Sequence, residues 1–130
     1  MSKLEDFLEL RDVSDITETI KEVIDGKELE LVVRPITEAE HSDFQKRAVN
    51  VSNKNQVSFN KGRYNELVLS ACIVEPNFGD AEFLAKMKCQ TKGEFFNRKF
   101  PAGIVEDISE KIQKLSGFET MEMEIESAKN

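Results

Sequence analysis

The stretch "KGRYNELVLSACIV", residues 61–74, decides the fold because it is apolar on almost every face of a helix. Its apolar side chains at helical spacing are Tyr64, Leu67, Val68, Ala71 and Cys72, and Leu69, Ile73 and Val74 widen this face almost to a full circle. A helix that is apolar all round is buried, so the other elements must surround it. We predict a central helix over 61–74, with Asn60 as its N-cap.

The segment after the central helix carries signals for two short helices. Glu75-Pro76 ends the central helix, because a residue before proline is held extended. Asp80 can cap one short helix, and Thr91 with Glu94 forms the capping box of another. These short helices are expected to pack on the central one.

The last helix is predicted within "FPAGIVEDISEKIQKLSGF", residues 100–118. Pro101 suits a first helical turn, and Gly117 is placed for a left-handed C-cap. Its apolar stripe consists of Ile104, Ile108, Ile112 and Leu115, with Val105 beside it. This stripe predicts a helix that packs one face on the core.

The segment before the central helix contains "TEAE", in which Thr37 and Glu40 form a capping box. A helix over about 38–50 is predicted to follow. The polar composition of residues 51–58, "VSNKNQVS", is typical of an exposed loop.

The N-terminal part is centred on Asp25-Gly26, a dipeptide typical of a tight hairpin turn. Residues 28–34 alternate between apolar and polar side chains, which predicts a strand. Residues 15–24 are ambiguous, because their isoleucines and valines have helical spacing whereas their threonines favour a strand. We predict a hairpin over about 15–34, because the turn needs a partner strand.

The 130 residues fit one domain. The predicted fold class is mainly α, a small helical domain around a buried central helix with one N-terminal β-hairpin, spanning residues 1–118. Residues 119–130 form an acidic amphipathic tail that we expect to be mobile in the free protein. At the other end, Leu4, Phe7 and Leu8 predict a short amphipathic helix.

The net charge of −7 is concentrated at the two ends. Residues 1–30 carry four basic and ten acidic side chains, residues 31–118 thirteen and eleven, and residues 119–130 one and four. An acidic chain without a basic stripe disfavours direct nucleic-acid binding. No apolar run approaches the roughly 18 residues of a membrane span, and the start lacks a secretion signal, so we predict a cytoplasmic protein.

The residues that usually perform chemistry are sparse. Cys72 and Cys89 are too far apart in sequence for a metal knuckle and are predicted to be core thiols, and the lone His41 is predicted to lie solvated on the surface. No phosphate-binding glycine loop, nucleophile elbow or zinc-helix motif is present in the sequence. We therefore expect neither catalysis nor a metal or cofactor, and binding through a surface remains.

One candidate binding surface is the end of the chain, "GFETMEMEIESAKN". Phe118, Met121, Met123 and Ile125 are interleaved with glutamates, and methionine side chains adapt to partners of irregular shape. The alternative interpretation is a solvated acidic end, for which such alternation is also ordinary.

Three segments in this order resemble the XkdN-like tail assembly chaperones of prophages of Gram-positive bacteria. They are "LELVVRPITEAE", "FNKGRYNELVLSACIVEPNF" and "FPAGIVEDISEKIQKLSGF". The resemblance covers roughly residues 10–118, with "RPIT", "ACIVEP" and "LSGF" as its most specific elements. The sequence departs from the family pattern at "FPAG", where the family often has a leucine-rich run before proline and glycine.

The resemblance implies a protein of the host bacterial cytoplasm that is not part of the mature virion. Such a chaperone binds the tape measure protein, keeps that long apolar helical chain soluble and helps to load tail-tube subunits around it. Several copies on one client, and weak self-association, would suit this task. The rival hypotheses are a non-catalytic adaptor or regulatory module of a mobile genetic element, and a small enzyme whose site its substrate completes.

Overall fold

The computed structural model describes residues 3–51 and 54–118. In chain order the elements are α1 (Lys3–Phe7), β1 (Glu18–Ile24), β2 (Lys27–Val33), α2 (Glu38–Arg47), β3 (Val49–Val51), β4 (Val57–Phe59), α3 (Lys61–Cys72), β5 (Ile73–Glu75), α4 (Ala81–Lys86), α5 (Lys92–Lys99) and α6 (Ala102–Leu115). A single 3-10 turn, Val13–Asp15, precedes β1. The class is mixed α/β, so the prediction of a mainly α domain is correct for the helices and the N-terminal hairpin but omits three strands.

The first hairpin, β1 with β2, is confirmed. Asp25 and Gly26 have φ angles of +53° and +73°, the left-handed values that a two-residue hairpin turn requires. The open question over residues 15–24 is settled as a strand from Glu18, because alternation places Ile20 on the core side opposite Leu31.

The central helix is shorter than predicted, because α3 ends at Cys72 and residues 73–75 form β5. β5 pairs antiparallel with β2, with Ile73 opposite Val33, and completes a sheet of order β1-β2-β5. The physical reason is that the β-branched Ile73 and Val74 favour extended backbone, as does Glu75 because it precedes Pro76, and β2 offers these residues a partner.

The segment around residues 48–59 also differs from the prediction. α2 ends at Arg47 rather than near residue 50, and the strand β3 begins at Val49, inside the predicted helix. β3 and β4 overlap the two ends of the loop predicted over 51–58 and form a second hairpin. Valines alternate with polar residues in both strands, and this period of two favours a ladder over a helix or an open loop.

The core lies where α3 meets α6, α5, α2 and the sheet. Its largest fully buried side chains are Phe96, Leu69, Ile108, Ile112, Val33, Val68 and Cys72, with Ser109 among them. A cluster of phenylalanines fills the end near α4 and α5 and comprises Phe78, Phe83, Phe95, Phe96 and Phe100, with ring centroids 5.1–6.1 Å apart. The prediction of a buried central helix is confirmed.

The predicted N-terminal capping residues are confirmed at the starts of α2, α3 and α4. Asn60 and Asp80 accept hydrogen bonds from the backbone at the starts of α3 and α4, and Thr37 with Glu40 forms the complete capping box of α2. Thr91 caps α5, but the Glu94 carboxylate accepts from the Gln90 N–H instead of closing the box.

The end of α6 is a left-handed glycine cap, as predicted. Gly117 has a φ of +93°, and the N–H of Phe118 donates to the Gln113 carbonyl at 2.9 Å. Ser116 Oγ accepts from the Ile36 N–H at 2.8 Å, which ties this end to the segment after β2.

Candidate partner-binding surfaces

Large apolar side chains are exposed in clusters in two places on the described chain, and single exposed ones lie elsewhere at Val23, Leu29, Val74 and Phe118. One is the N-terminal segment, residues 3–10, where α1 leaves Leu4, Phe7, Leu8 and Leu10 exposed. The other is the second hairpin, where Val49, Val51, Val57 and Phe59 are exposed. Clustered apolar exposure of this kind marks sites of protein interaction.

The second hairpin presents its apolar residues on one face. Val49 lies opposite Phe59 and Val51 opposite Val57 in the ladder, whereas the intervening pair, Asn50 and Ser58, faces the other side. Val51 is 67% exposed and Val57 68%. Two isolated strands are marginally stable in water, so an uncovered apolar face on them favours a bound partner.

The base of the second hairpin is fixed between two helices. The N–H of Asn60, at the end of β4, donates to the carbonyl of Ala48 at 2.7 Å, and the Asn60 side chain caps α3. The ring of Phe59 lies 5.7 Å from that of Tyr64, which is buried on α3. The hairpin is therefore anchored at its base while its valine pairs remain in solvent.

A row of aromatic rings connects the end of α6 with this hairpin. The ring of Phe118 lies 4.7 Å from that of His41, and His41 lies edge-on to Tyr64 at 5.8 Å. His41 Nδ1 and the Tyr64 hydroxyl are also hydrogen-bonded at 2.8 Å. The prediction of a solvated His41 is wrong, because the ring is half-buried where α2 packs on α3.

The charge around the second hairpin is entirely basic. Between residues 44 and 65 the sequence has five basic side chains and no acidic one, and the five are Lys46, Arg47, Lys54, Lys61 and Arg63. Arg47 and Arg63 form ion pairs with Asp43 at 3.5 Å and Glu66 at 3.1 Å, both outside this stretch. The stretch that contains the hairpin therefore has an excess of positive charge, which the two ion pairs reduce.

The first hairpin is held to the helices by charged groups. Two Arg34 nitrogens at the end of β2 donate to the two Glu40 carboxylate oxygens at 2.8 Å each, and these bonds lower the pKa of Glu40 to about 2. On β1, the buried Glu22 accepts from Lys111 of α6 at 2.9 Å, and burial raises the Glu22 pKa.

Every buried side-chain nitrogen or oxygen in the described part has a hydrogen-bond partner, and no three His, Cys, Asp or Glu residues there are grouped to hold a metal ion. Cys72 and Cys89 are buried free thiols, as predicted, and burial raises the pKa of Cys72 to about 12. Among the described helices, none has the length and apolarity to cross a membrane.

Of the predicted site residues, the structure places Phe118, which is 38% exposed and lies against His41. Met121, Met123 and Ile125 lie outside the described residues. The prediction missed the second hairpin, although the alternation in "VNV" (49–51) and "VSF" (57–59) is a signal that could have found it.

Comparison with known proteins gives a family and a fold. A family sequence model described as "Phage XkdN-like tail assembly chaperone protein, TAC" matches residues 4–129. The crystal structure of the protein yqbn is similar to this chain, with a TM-score of 0.56 and 16% sequence identity over 79% of this chain and 87% of that one. A search of curated proteins gives no significant match. The matched family range extends from α1 into the segment after α6.

Proposed function

We propose, because this chain belongs to the phage XkdN-like tail assembly chaperone family, that it binds the tape measure protein of a long-tailed phage and keeps it soluble. In this proposal it also assists the assembly of tail-tube subunits around that client. It acts in the host bacterial cytoplasm, without catalysis or a cofactor, and does not remain in the mature virion.

The observation that carries this proposal is the uncovered apolar face of the second hairpin. A soluble chaperone needs an apolar surface that can accept segments of a long apolar helical client. The face formed by Val51 and Val57 is anchored at its base and belongs to a stretch, residues 44–65, with five basic side chains and no acidic one. Apolar client segments with acidic neighbours would therefore be favoured.

The end of the chain is the second proposed contact. Phe118, Met121, Met123 and Ile125 are the apolar members of an acidic stretch, and the methionines adapt to different client segments. Phe118 lies on the aromatic row that leads to Phe59, so the two contacts are adjacent.

A small contact area on each copy argues for repetition. We expect more than one chaperone per tape measure chain, since several weak contacts on one long client gain through avidity, and weak self-association would add to this. Light scattering of the purified complex measures the ratio, and a strict one-to-one complex would contradict repetition.

The test compares matched valine substitutions on the two hairpins. A tape measure protein is co-expressed with the wild type, with Val51→Ser/Val57→Ser, or with Val23→Ser, which alters a valine that is 64% exposed on the first hairpin. We expect the soluble yield of the client to fall with the double variant and to stay at the wild-type level with the control.

Two results would overturn this assignment. Equal client yields with all three chaperones would exclude the second hairpin as the contact. Failure of the wild type to retain any tape measure protein, together with specific retention of another phage or host protein, would favour an adaptor role instead.

A further inference from the structure

Within the described residues, nothing covers the apolar face of the second hairpin. Residues 119–130 lie outside the described residues. We propose that residues 119–126 of the same chain dock on this face in an extended conformation, with Met121, Met123 and Ile125 against the valine pairs. The inference does not rest on the proposed function, because both sides of the contact belong to one chain.

The sequence of this segment fits an extended strand. Met121, Met123 and Ile125 alternate with Glu122, Glu124 and Glu126. In a strand, alternate side chains point to opposite faces, so the three apolar side chains would share one side and the three carboxylates the other. The second hairpin offers the matching surface, a flat face of cross-strand apolar pairs.

The distance from the end of α6 is also suitable. Ring-to-ring steps of 4.7, 5.8 and 5.7 Å lead from Phe118 through His41 and Tyr64 to Phe59. The seven residues 119–125 can span about 23 Å when extended, which exceeds these steps even if they were collinear, so Ile125 can reach Phe59. Because Phe118 contacts His41 in this row of rings, the segment begins at the end of a row that leads to the second hairpin.

Charge distinguishes the hairpin from the other exposed apolar place. Residues 119–126 carry four glutamates and no basic side chain, and the stretch from 44 to 65 carries five basic side chains and no acidic one. The N-terminal segment instead contains Glu5, Asp6 and Glu9, which would repel the glutamates. Attraction therefore selects the second hairpin.

In the absence of a client, residues 119–126 of the same chain would therefore occupy the apolar face of the second hairpin. Three apolar side chains and screened ion pairs give a weak contact, so the segment exchanges between docked and free states. The mobility expected for residues 119–130 then applies to the free state of the segment. A client competes with the docked segment for the apolar face.

The test uses the full chain without a client. A nitroxide label is attached through Ala128→Cys, since both native thiols are buried and the label therefore selects the introduced one. Methyl NMR signals of Val51 and Val57 are expected to broaden beyond detection, whereas those of Val23 on the first hairpin keep their intensity. In the labelled Met121→Ser/Met123→Ser/Ile125→Ser variant, the Val51 and Val57 signals should return.

Two outcomes would overturn the inference. Signals of Val51 and Val57 that remain as intense as those of Val23 would show that the segment does not dock on the hairpin. Broadening of the same extent in enriched unlabelled chains that are mixed with labelled chains of natural isotope abundance would show that the contact is between two copies. Neither outcome bears on whether the protein retains a tape measure protein, which is measured separately.

Discussion

The two hairpins of this domain use similar residues for opposite purposes. In the first, Ile20 and Leu31 face each other across the ladder and are buried under the helices. In the second, Val51 and Val57 face each other in the same way and are exposed. Apolar strand pairs are thus not sufficient for burial, because another layer must pack on their face.

The outer faces of the hairpins differ as well. On the first, Lys21 lies opposite Glu30 and pairs with Glu28 at 3.5 Å, which gives this face a polar surface suited to water. β5 also covers the outer edge of β2. The second hairpin has neither a third strand within the described residues nor a polar cover on its valine face. The first hairpin belongs to the structural core, and the second is the surface that we propose for recognition.

Among the substitutions that test this comparison, Leu31→Ala is expected to have the largest effect on stability. Removal of a buried leucine side chain should lower the free energy of unfolding by about 2–5 kcal/mol. Urea denaturation measures the loss, with Val57→Ala in the second hairpin as the comparison. A loss below about 1 kcal/mol for Leu31→Ala would contradict its assignment to the core.

A smaller effect is expected where the first hairpin is tied to α2. The pKa of Glu40 lies at about 2 in the folded protein, below its ordinary value of 4.5, because Arg34 donates two hydrogen bonds to it. A lowered pKa stabilises the fold above about pH 4.5, and this contribution is lost as the pH falls towards 2.

Glu40→Gln should therefore cost about 2 kcal/mol at neutral pH, a value reduced for a carboxylate that is 25% exposed. The pH dependence of unfolding between 4.5 and 2 should also become shallower. Unfolding curves at several pH values check both effects. An unchanged pH slope in the variant would show that this ion pair does not stabilise the fold.

Val57→Ser tests the other side of the comparison. The side chain is 68% exposed, so the free energy of unfolding should change by no more than about 0.5 kcal/mol. Thermal or urea unfolding checks this, with Val23→Ser as the matched exposed control. A loss above about 2 kcal/mol would mean that Val57 is structurally required and that its face is not free for binding.

The smallest effect on global stability is expected from deletion of residues 119–130. The melting temperature should remain nearly unchanged, because the core of the described residues is formed by side chains between Ile20 and Leu115. Client protection should fall, because the loss of the second proposed client contact outweighs the removal of a competitor for the hairpin face. Amide hydrogen exchange in the second hairpin should become faster if the segment docks there. If the truncated protein protects its client as well as the full chain, the contact must lie on the folded domain alone.

The sequence predicted correctly those features that depend on residues close to one another in the chain. The positive φ angles at Asp25 and Gly26 and the capping by Thr37 and Asn60 each depend on residues within a few positions of one another. The central helix was also predictable, because an all-round apolar helix has to be buried.

The remaining elements depend on contacts between distant residues. β5 is a strand because Ile73 pairs with Val33, forty positions earlier, and no local pattern records that partner. The half-buried position of His41 likewise depends on Tyr64 and Phe118. The second hairpin had a local alternation, but the polar residues between its strands dominated the composition. The candidate surface was consequently predicted only in part, through Phe118.

The direct passage of α3 into β5 has a mechanical consequence. No loop residue separates Cys72 from Ile73, and the Arg34 N–H donates to the Cys72 carbonyl at 2.9 Å across this junction. A force applied to the second hairpin would be transmitted through Asn60 to α3. Because no loop intervenes, α3 would transmit it directly to the three-stranded sheet. Under load the domain should behave as a stiff body, with the second hairpin as its more compliant part.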